Sequence, residues 1–514
     1  MKKVLLIFVL LLVFAAAAIG GYFGYEAYSI STAPPVSESA AVLMSDAMKM
    51  VPTTEPESAE AKALKDLLKA SWSFELGQGV SEKRDAVQAV SLTVLDTDTL
   101  FIGLQENAQA VLQSEVENAK LSWDVYNEDY SFKNEILDLA ANDAFKKALE
   151  NAGQKKTEIE LKLRYEDKKW SILNIEDVYA VLWPSDIDLD KIASEVLEKA
   201  VENPQYVRKT YSIEENAKKG PEPDRSKFGS TSDPAVIEAL IATPMAQQLI
   251  NGQELVWNRD IPFIPGTEIL YYLDETILSI VWQEPEALAV GTFSETFIAD
   301  GSQLRRKIAG DSFEDFNHDV ATAFAAQTNS VLALGGDLYH HDRSCGIMVY
   351  EREIYRFDPY TCDTCYFTPD GDMLFSYRGQ FSDISEAEAF VEENDILFSL
   401  CFGPVLIDDG QDVCPETYPW GEVNDTYARS ALGMLGEKHY LSVNINCKQP
   451  DYYYLATLRN AADAMINRGC IKAYTLDGGQ TASTIFNNQL INPVQFGWER
   501  PVSDIIYFAT AVPN

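Results

Sequence analysis

Tyr474-Thr475-Leu476-Asp477-Gly478-Gly479-Gln480-Thr481-Ala482-Ser483-Thr484 is the stretch around which the rest of the chain is read. Its front half reads as a strand that ends on a carboxylate, and two glycines and small hydroxyl residues follow. Glycine accepts φ > 0 and lets backbone N–H groups approach a ligand closely. Successive N–H groups in such a turn make a concavity that binds anions. Asp477 then sits at its lip, able to do acid–base or covalent work or to hold a sugar hydroxyl. Asp-Gly-Gly alone is also an ordinary turn signal, so the weight must come from the surrounding chain.

From Ile269 onward the chain predicts short strands at Ile277–Trp282, Leu288–Val290, Phe293–Ile298, Val331–Leu334, Ile347–Tyr350, Asp372–Phe375, Tyr440–Ile445 and Asp504–Ala509. Helices are predicted at Ser312–Ala325, Ile384–Glu392 and Tyr454–Arg468. Many strands with few helices imply an α+β class, with a large mixed-sheet domain and flanking helices over residues 235–514. Residues 216–234 lose apolar periodicity and read as a linker. Before it, residues 57–215 predict helices followed by a hairpin. Ile159, Leu161, Leu163 and Tyr165 alternate there with Glu160, Lys162 and Arg164, and Trp170–Leu173 returns. This smaller α+β domain resembles cystatin-like or nuclear-transport-factor-2-like domains. It carries no catalytic constellation and reads as a spacer or binding module.

Met1-Lys2-Lys3 precedes an uncharged run, Val4–Tyr25. At about 1.5 Å per residue such a run crosses a ~30 Å hydrocarbon core. The lysines favour a cytoplasmic N-terminus. Residues 1–28 are therefore expected to form a transmembrane signal anchor, with a single pass in the cell membrane and the bulk of the chain outside the cytoplasm. Small residues at Ala15–Ala18 also suit signal-peptide cleavage, which would make the protein secreted. Residues 29–56, rich in Ser, Ala, Pro and Thr, read as a flexible stalk.

The length of 514 residues exceeds a single domain of roughly 150. A net charge of −38 argues against a nucleic-acid partner, which needs a basic footprint. All seven cysteines lie between Cys345 and Cys470. Outside the cytoplasm disulfides are the default, and an odd count leaves one thiol over. Which cysteines pair is not readable from spacing. Cys362-x-x-Cys365 has the spacing of half a zinc site or of a redox dithiol, but no second close pair completes a zinc set.

Five separated motifs now agree. They are Asn329-Ser330-Val331-Leu332-Ala333-Leu334-Gly335-Gly336-Asp337-Leu338-Tyr339-His340-His341, then Phe402-Gly403-Pro404-Val405-Leu406 with Asp408, Asp409 and Gly410, then Arg429-Ser430-Ala431-Leu432-Gly433. Leu476–Thr481 follows, and Asn492 with Glu499-Arg500-Pro501-Val502-Ser503-Asp504 closes the series. In this order, over residues 265–514, the chain resembles the phosphodiester glycosidase family. It departs from the family pattern at Asp342, where relatives often carry Arg, and at Thr481, which replaces Ser. Val443-Asn444-Ile445-Asn446 lacks the usual Asp-Gly turn.

The resemblance implies a hydrolase that cleaves the glycosidic bond of a sugar-1-phosphodiester in a surface glycan. The family includes a mammalian enzyme that removes N-acetylglucosamine from a phosphodiester on mannose. Such chemistry needs a carboxylate to stabilise or trap charge at the anomeric carbon and donors for the phosphate. Asp477 and Asp337 are the carboxylate candidates, and His340 is the candidate proton donor. Arg429 is the expected phosphate fork, with Arg500 second. Gly478, Gly479, Thr481, His341, Glu499, Asn329 and Glu295 complete the expected binding set, although Glu295 also reads as an outward strand residue. Adjacent strand residues face opposite ways, so one of the two histidines reaches the site. No cofactor is firmly implied. Asp408, Asp409 and Asp451 would suit a divalent cation such as calcium, but no calcium-loop spacing accompanies them. The rival reading is a non-catalytic glycan-binding protein of exopolysaccharide or cell-wall assembly.

Overall fold

A computed structural model describes residues 33–513, except residues 152, 184–186, 203–208, 259–261, 263, 265, 287–288, 311–317, 338–344, 420–423 and 447–455. The expected anchor, Val4–Tyr25, lies outside the described residues. No helix among the described residues is long and apolar enough to cross a membrane. The chain divides into two units, one of residues up to 126 with 132–208, the other of 127–131 with 209–514.

The first unit holds a four-stranded antiparallel sheet in sequence order, β1 (Ser73–Glu82), β2 (Asp85–Leu95), β3 (Gln154–Glu166) and β4 (Lys169–Ile172). The expected hairpin is β3–β4, with Tyr165 opposite Trp170. Leu161, Leu163 and Tyr165 are buried while Glu160, Lys162 and Arg164 are exposed, so period two sets the face. The helices are α1 (Val36–Lys49), α2 (Ala59–Ser71), α3 (Thr97–Asn118), α4 (Asn134–Asn151), α5 (Ile175–Leu182) and α6 (Leu189–Val201). Helix α1 corrects the expected stalk. Its Ala40, Met44 and Ala47 form one buried face. The alanines that made the segment look featureless are the strongest helix formers.

Among the described residues the second unit contains three sheets. The strands in chain order are β5 (Phe228–Thr231), β6 (Ile269–Leu273), β7 (Ile277–Glu286), β8 (Ala289–Ile298), β9 (Leu304–Ile308) and β10 (Ser330–Gly335). Next come β11 (Gly346–Tyr350), β12 (Glu353–Asp358), β13 (Thr364–Phe367), β14 (Met373–Ser376), β15 (Phe398–Leu400), β16 (Val405–Asp408) and β17 (Gln411–Asp412). The last are β18 (Arg429–Gly436), β19 (His439–Asn446), β20 (Lys472–Leu476), β21 (Thr484–Phe486), β22 (Gln489–Leu490) and β23 (Asp504–Ala509). The large sheet runs β17-β16-β20-β18-β19-β8-β7-β6-β5, and two five-stranded sheets run β22-β21-β10-β23-β9 and β12-β11-β15-β13-β14.

A mixed sheet was expected, but the ladders that build these three sheets are antiparallel throughout. Parallel neighbours need long crossovers, usually helical. Here hairpins make many of the joins instead. The expected linker is also structured. Phe228–Thr231 is an edge strand paired with β6, and the Phe228 ring lies 4.5 Å from that of Tyr272.

The large sheet is buried on both faces. Phe293, Ala431, Val443 and Ile445 pack with Leu458, Ala461 and Met465 of the Leu458–Ile466 helix, the core of the predicted Tyr454–Arg468 helix. Leu432, Tyr440, Tyr474 and Leu476 pack with Leu332, Leu334, Ile506 and Phe508 of the β10 sheet. Of the predicted Ser312–Ala325 helix, residues 312–317 lie outside the described residues; the described helix runs over Ala321–Thr328 and stops at Asn329, whose φ of 57° ends the turn.

Candidate active site

Strands β10 and β20 belong to different sheets, yet their C-terminal ends meet. The Asp477 N–H donates to the Gly336 carbonyl oxygen at 3.1 Å. Asp337 and Asp477 are thereby gathered at one junction. The glycines permit this closeness. A Cβ on Gly336 would fall 2.5 Å from Oδ1 of Asp504, and one on Gly478 would fall 2.5 Å from the Ala428 carbonyl.

Asp337 is 4% exposed. Its Oδ2 accepts the Cys401 N–H at 2.8 Å and faces Nη2 of Arg306 at 3.4 Å. Its own N–H donates to Oδ1 of Asp504 at 2.8 Å. Arg306 reaches the same group from β9, with Nε on Oδ2 of Asp504 at 2.6 Å and Nη1 on the Ser399 carbonyl. Burial opposes the Arg306 charge, but Asp504 and then Asp337 outweigh it and hold the guanidinium above its ordinary value.

Asp477 is 7% exposed. Ser430 pairs with Leu476 across β18 and β20, which sets Arg429 beside Asp477 at the end of the ladder. Arg429 is itself buried. Its Nε donates to the Ala456 carbonyl at 3.4 Å and its Nη2 to the Asp425 carbonyl. Burial pushes its pKa down to about 10, against the pull of Tyr427, Asp425 and Asp477. It is therefore a cation at neutral pH. Backbone carbonyls occupy part of its fork.

The turn after Asp477 differs from the expected anion cradle. The Gly479 N–H donates to the Ala428 carbonyl at 2.8 Å, and the Thr481 N–H to the Gly478 carbonyl at 3.2 Å. The Thr481 hydroxyl donates to that same carbonyl at 2.5 Å. With the Asp477 amide on Gly336, alternate amides of the turn are committed to backbone oxygens. Gly478, Gly479 and Thr481 shape the junction, because two sheets crowd their backbones there.

Three expected site residues serve elsewhere. Glu295 is wholly buried rather than outward. It accepts the N–H groups of Val256 at 2.7 Å and Trp257 at 3.1 Å and lies 2.9 Å from Nε2 of His439. Its row of the sheet passes through Leu441 and Gly433, four residues along β18 from Arg429. Asn329 sits at the opposite end of β10 from Asp337 and donates to the Gly220 carbonyl at 2.9 Å. Glu499 accepts from the N–H and hydroxyl of Thr322, at 3.1 and 2.6 Å, in the first turn of the Ala321–Thr328 helix. Arg500 follows it and is half-buried. His340, His341 and Asp451 lie outside the described residues. Asp408 accepts the Tyr377 hydroxyl at 2.9 Å. Among the described residues no group of three or more His, Cys, Asp or Glu side chains is arranged to hold a metal.

Arg306 and the Cys401 amide lie outside the sequence motifs, and Asp504 closes the last of them without standing among the expected site residues. The signal for Arg306 is present: Leu304, Arg306 and Ile308 alternate on one buried face, with a cation at an inward position. Sequence reasoning also passed over the turn at 495–498, where Phe496 has φ of 63° and is 51% exposed. Trp498 there is 59% exposed, and its carbonyl accepts Nε2 of Gln480 at 3.0 Å.

Residues 328–509, which include Asp337, Arg429, Asp477 and Asp504, match the sequence model of the phosphodiester glycosidase family. That segment of the second unit is thus similar to phosphodiester glycosidase domains. The chain is 23% identical over 200 residues to the SPbeta prophage-derived uncharacterized protein YomE of Bacillus subtilis (strain 168). That match takes in 38% of this chain and spans 30% of the relative's length. Among solved structures it is similar to the catalytic domain of zebrafish N-acetylglucosamine-1-phosphodiester alpha-N-acetylglucosaminidase, auto-inhibited by its pro-peptide. That likeness has 14% identity and a TM-score of 0.39, over 49% of this chain and 87% of that one. A hypothetical protein from Synechocystis is similar at 14% identity and a TM-score of 0.32, over 45% of this chain and 62% of the other.

Proposed function

We propose that the second unit is an extracytoplasmic hydrolase that cleaves the glycosidic bond of a sugar-1-phosphodiester in a surface glycan. The observation that carries this reading is the junction itself. Two strand-end aspartates from separate sheets are brought to one junction by the backbone bond from Asp477 to Gly336, with the Arg429 cation beside one of them. Asp477 is the group to stabilise or trap positive charge at the anomeric carbon. Asp337, held by Cys401 and Arg306, is the second carboxylate. Arg429 offsets the phosphate charge through its field, more than through an open fork. The uncharged run Val4–Tyr25 would anchor the chain in the membrane with the catalytic unit outside, in keeping with the chain's acidity.

The test is release of reducing sugar from a panel of sugar-1-phosphodiesters by the purified chain. Turnover that depends on the phosphodiester supports the reading. Binding of the sugar without release favours the glycan-binding alternative. Neither binding nor release with any member of the panel removes it.

A further inference from the structure

We propose that Cys345 and Cys362 are joined by a disulfide in the mature protein, and that this bond braces the backbone holding Asp337. The inference goes beyond the hydrolase activity and rests only on the proposed placement of the unit outside the cytoplasm, where disulfides persist.

Cys345 directly precedes β11 and Cys362 lies just before β13, in the sheet that also holds β15. Both thiols are buried, and their sulfurs stand 2.9 Å apart. Both also face one acceptor. Sγ of Cys345 lies 2.6 Å from the Cys401 carbonyl oxygen, and Sγ of Cys362 lies 3.0 Å from it. Two S–H donors thus crowd a single oxygen while their sulfurs press together. Oxidation removes both hydrogens and turns that crowding into a bond.

The backbone is built to allow the approach. Gly346 has φ of 67°, and a Cβ there would fall 2.8 Å from Sγ of Cys362 and 2.8 Å from Cβ of Cys401. Sγ of Cys401 lies 3.7 Å from the Ser399 hydroxyl. Cys365 packs in a different apolar cluster from Cys362, so the Cys-x-x-Cys spacing does not make a facing dithiol.

The consequence reaches the candidate site through Cys401. Its carbonyl caps both sulfurs, and its N–H donates to Oδ2 of Asp337 at 2.8 Å. A bond between Cys345 and Cys362 ties the strand start at Gly346 to the approach of β13, on either side of that peptide. In the reaction the two thiols release two protons and two electrons to a disulfide-bearing oxidant, which leaves as two thiols. Burial, and then the neighbouring Cys345 thiol, push the Cys362 thiol well up. Thiolate is the reactive form, so closure belongs to folding, before the sheet seals the pair.

The experiment uses the full chain, folded in a buffer of oxidised and reduced glutathione. It is then denatured with an alkylating agent and digested without reduction for mass mapping. The expected result is one cross-linked species containing Cys345 and Cys362, lighter than the two peptides by two hydrogens. Alkylation of both cysteines, or a bridge from either to Cys365 or Cys401, overturns the pairing. In parallel, Cys345→Ser with Cys362→Ser should lower the thermal midpoint by about 5–10 °C, as loss of a short-loop disulfide does. An unchanged midpoint, in the double variant and in wild type refolded under reductant, overturns the bracing role.

Discussion

Nε of Arg306 donates to Oδ2 of Asp504 at 2.6 Å, and both side chains are sealed from solvent. The other oxygen of Asp504 takes the Asp337 amide. A charge on β9 thus positions the end of β10 through a residue of β23. Removing one member of a buried ion pair costs about 3–5 kcal/mol, because the remaining charge is stranded. Arg306→Met should therefore lower the thermal midpoint by roughly 10 °C, read by calorimetry. A shift of under about 2 °C would mean that the pair is not the clamp described here.

Asp477→Asn keeps the shape of the side chain and the amide bond to Gly336. Turnover of a sugar-1-phosphodiester should fall by about 10²–10⁴-fold, with the melting curve nearly unchanged. Asp337→Asn should cost turnover and stability together, since it weakens the Arg306 group. Wild-type turnover in the Asp477 variant would remove that residue from the reaction.

Arg429 gives a pH prediction. Its folded value is about 10, below its ordinary value. The fold thus favours the neutral form, so burying the cation costs stability at every pH below about 10. That cost is relieved as pH rises beyond about 10 towards the group's ordinary value. At neutral pH the group stays charged. KM for a phosphodiester should be flat from about pH 6 to 9 and climb beyond about 10 as the cation is lost. A rise in KM between pH 6 and 8 that Arg429→Lys leaves in place would assign phosphate recognition to another group.

Glu295 separates structure from chemistry. Glu295→Ala strands the buried amides of Val256 and Trp257 and the His439 ring. A loss of about 2–4 kcal/mol follows from unsatisfied buried donors, seen in urea unfolding. The folded fraction should turn over substrate normally. A fall in kcat comparable to that of Asp477→Asn would place Glu295 back in the site.

Trp498 projects from a turn tied to Gln480, three residues after Asp477. Phe496 and Trp498 are both exposed in this turn, and Phe496 holds a positive φ that bulky residues rarely adopt. Trp498→Ala should raise KM by about 3–10-fold, in line with ~0.5–1.5 kcal/mol for an aromatic contact, without changing kcat or stability. Unaltered KM, with no change in tryptophan fluorescence on adding sugar to wild type, would leave the turn without a role in binding.

Local chemistry explains what was readable. The β3–β4 hairpin follows from strict alternation at Leu161, Leu163 and Tyr165. Helix α1 and strand β5 were hidden for the opposite reason. Ser, Ala, Gly and Thr carry little periodic signal, and both segments owe their structure to the faces they cover. Asp337 and Asp477 stood out as carboxylates at strand ends beside glycines. Arg306 and Asp504, 198 positions apart, share no local pattern.

Strand ends, turn glycines and the carboxylates beside them are written in neighbouring residues, so reading along the chain suffices for them. That Asp337 and Asp477 meet at one junction, and that alternate amides of the glycine turn are committed to carbonyls, follows from two sheets packing end against end. Close packing of this kind depends on residues hundreds of positions apart, and only the folded molecule brings them within hydrogen-bond reach.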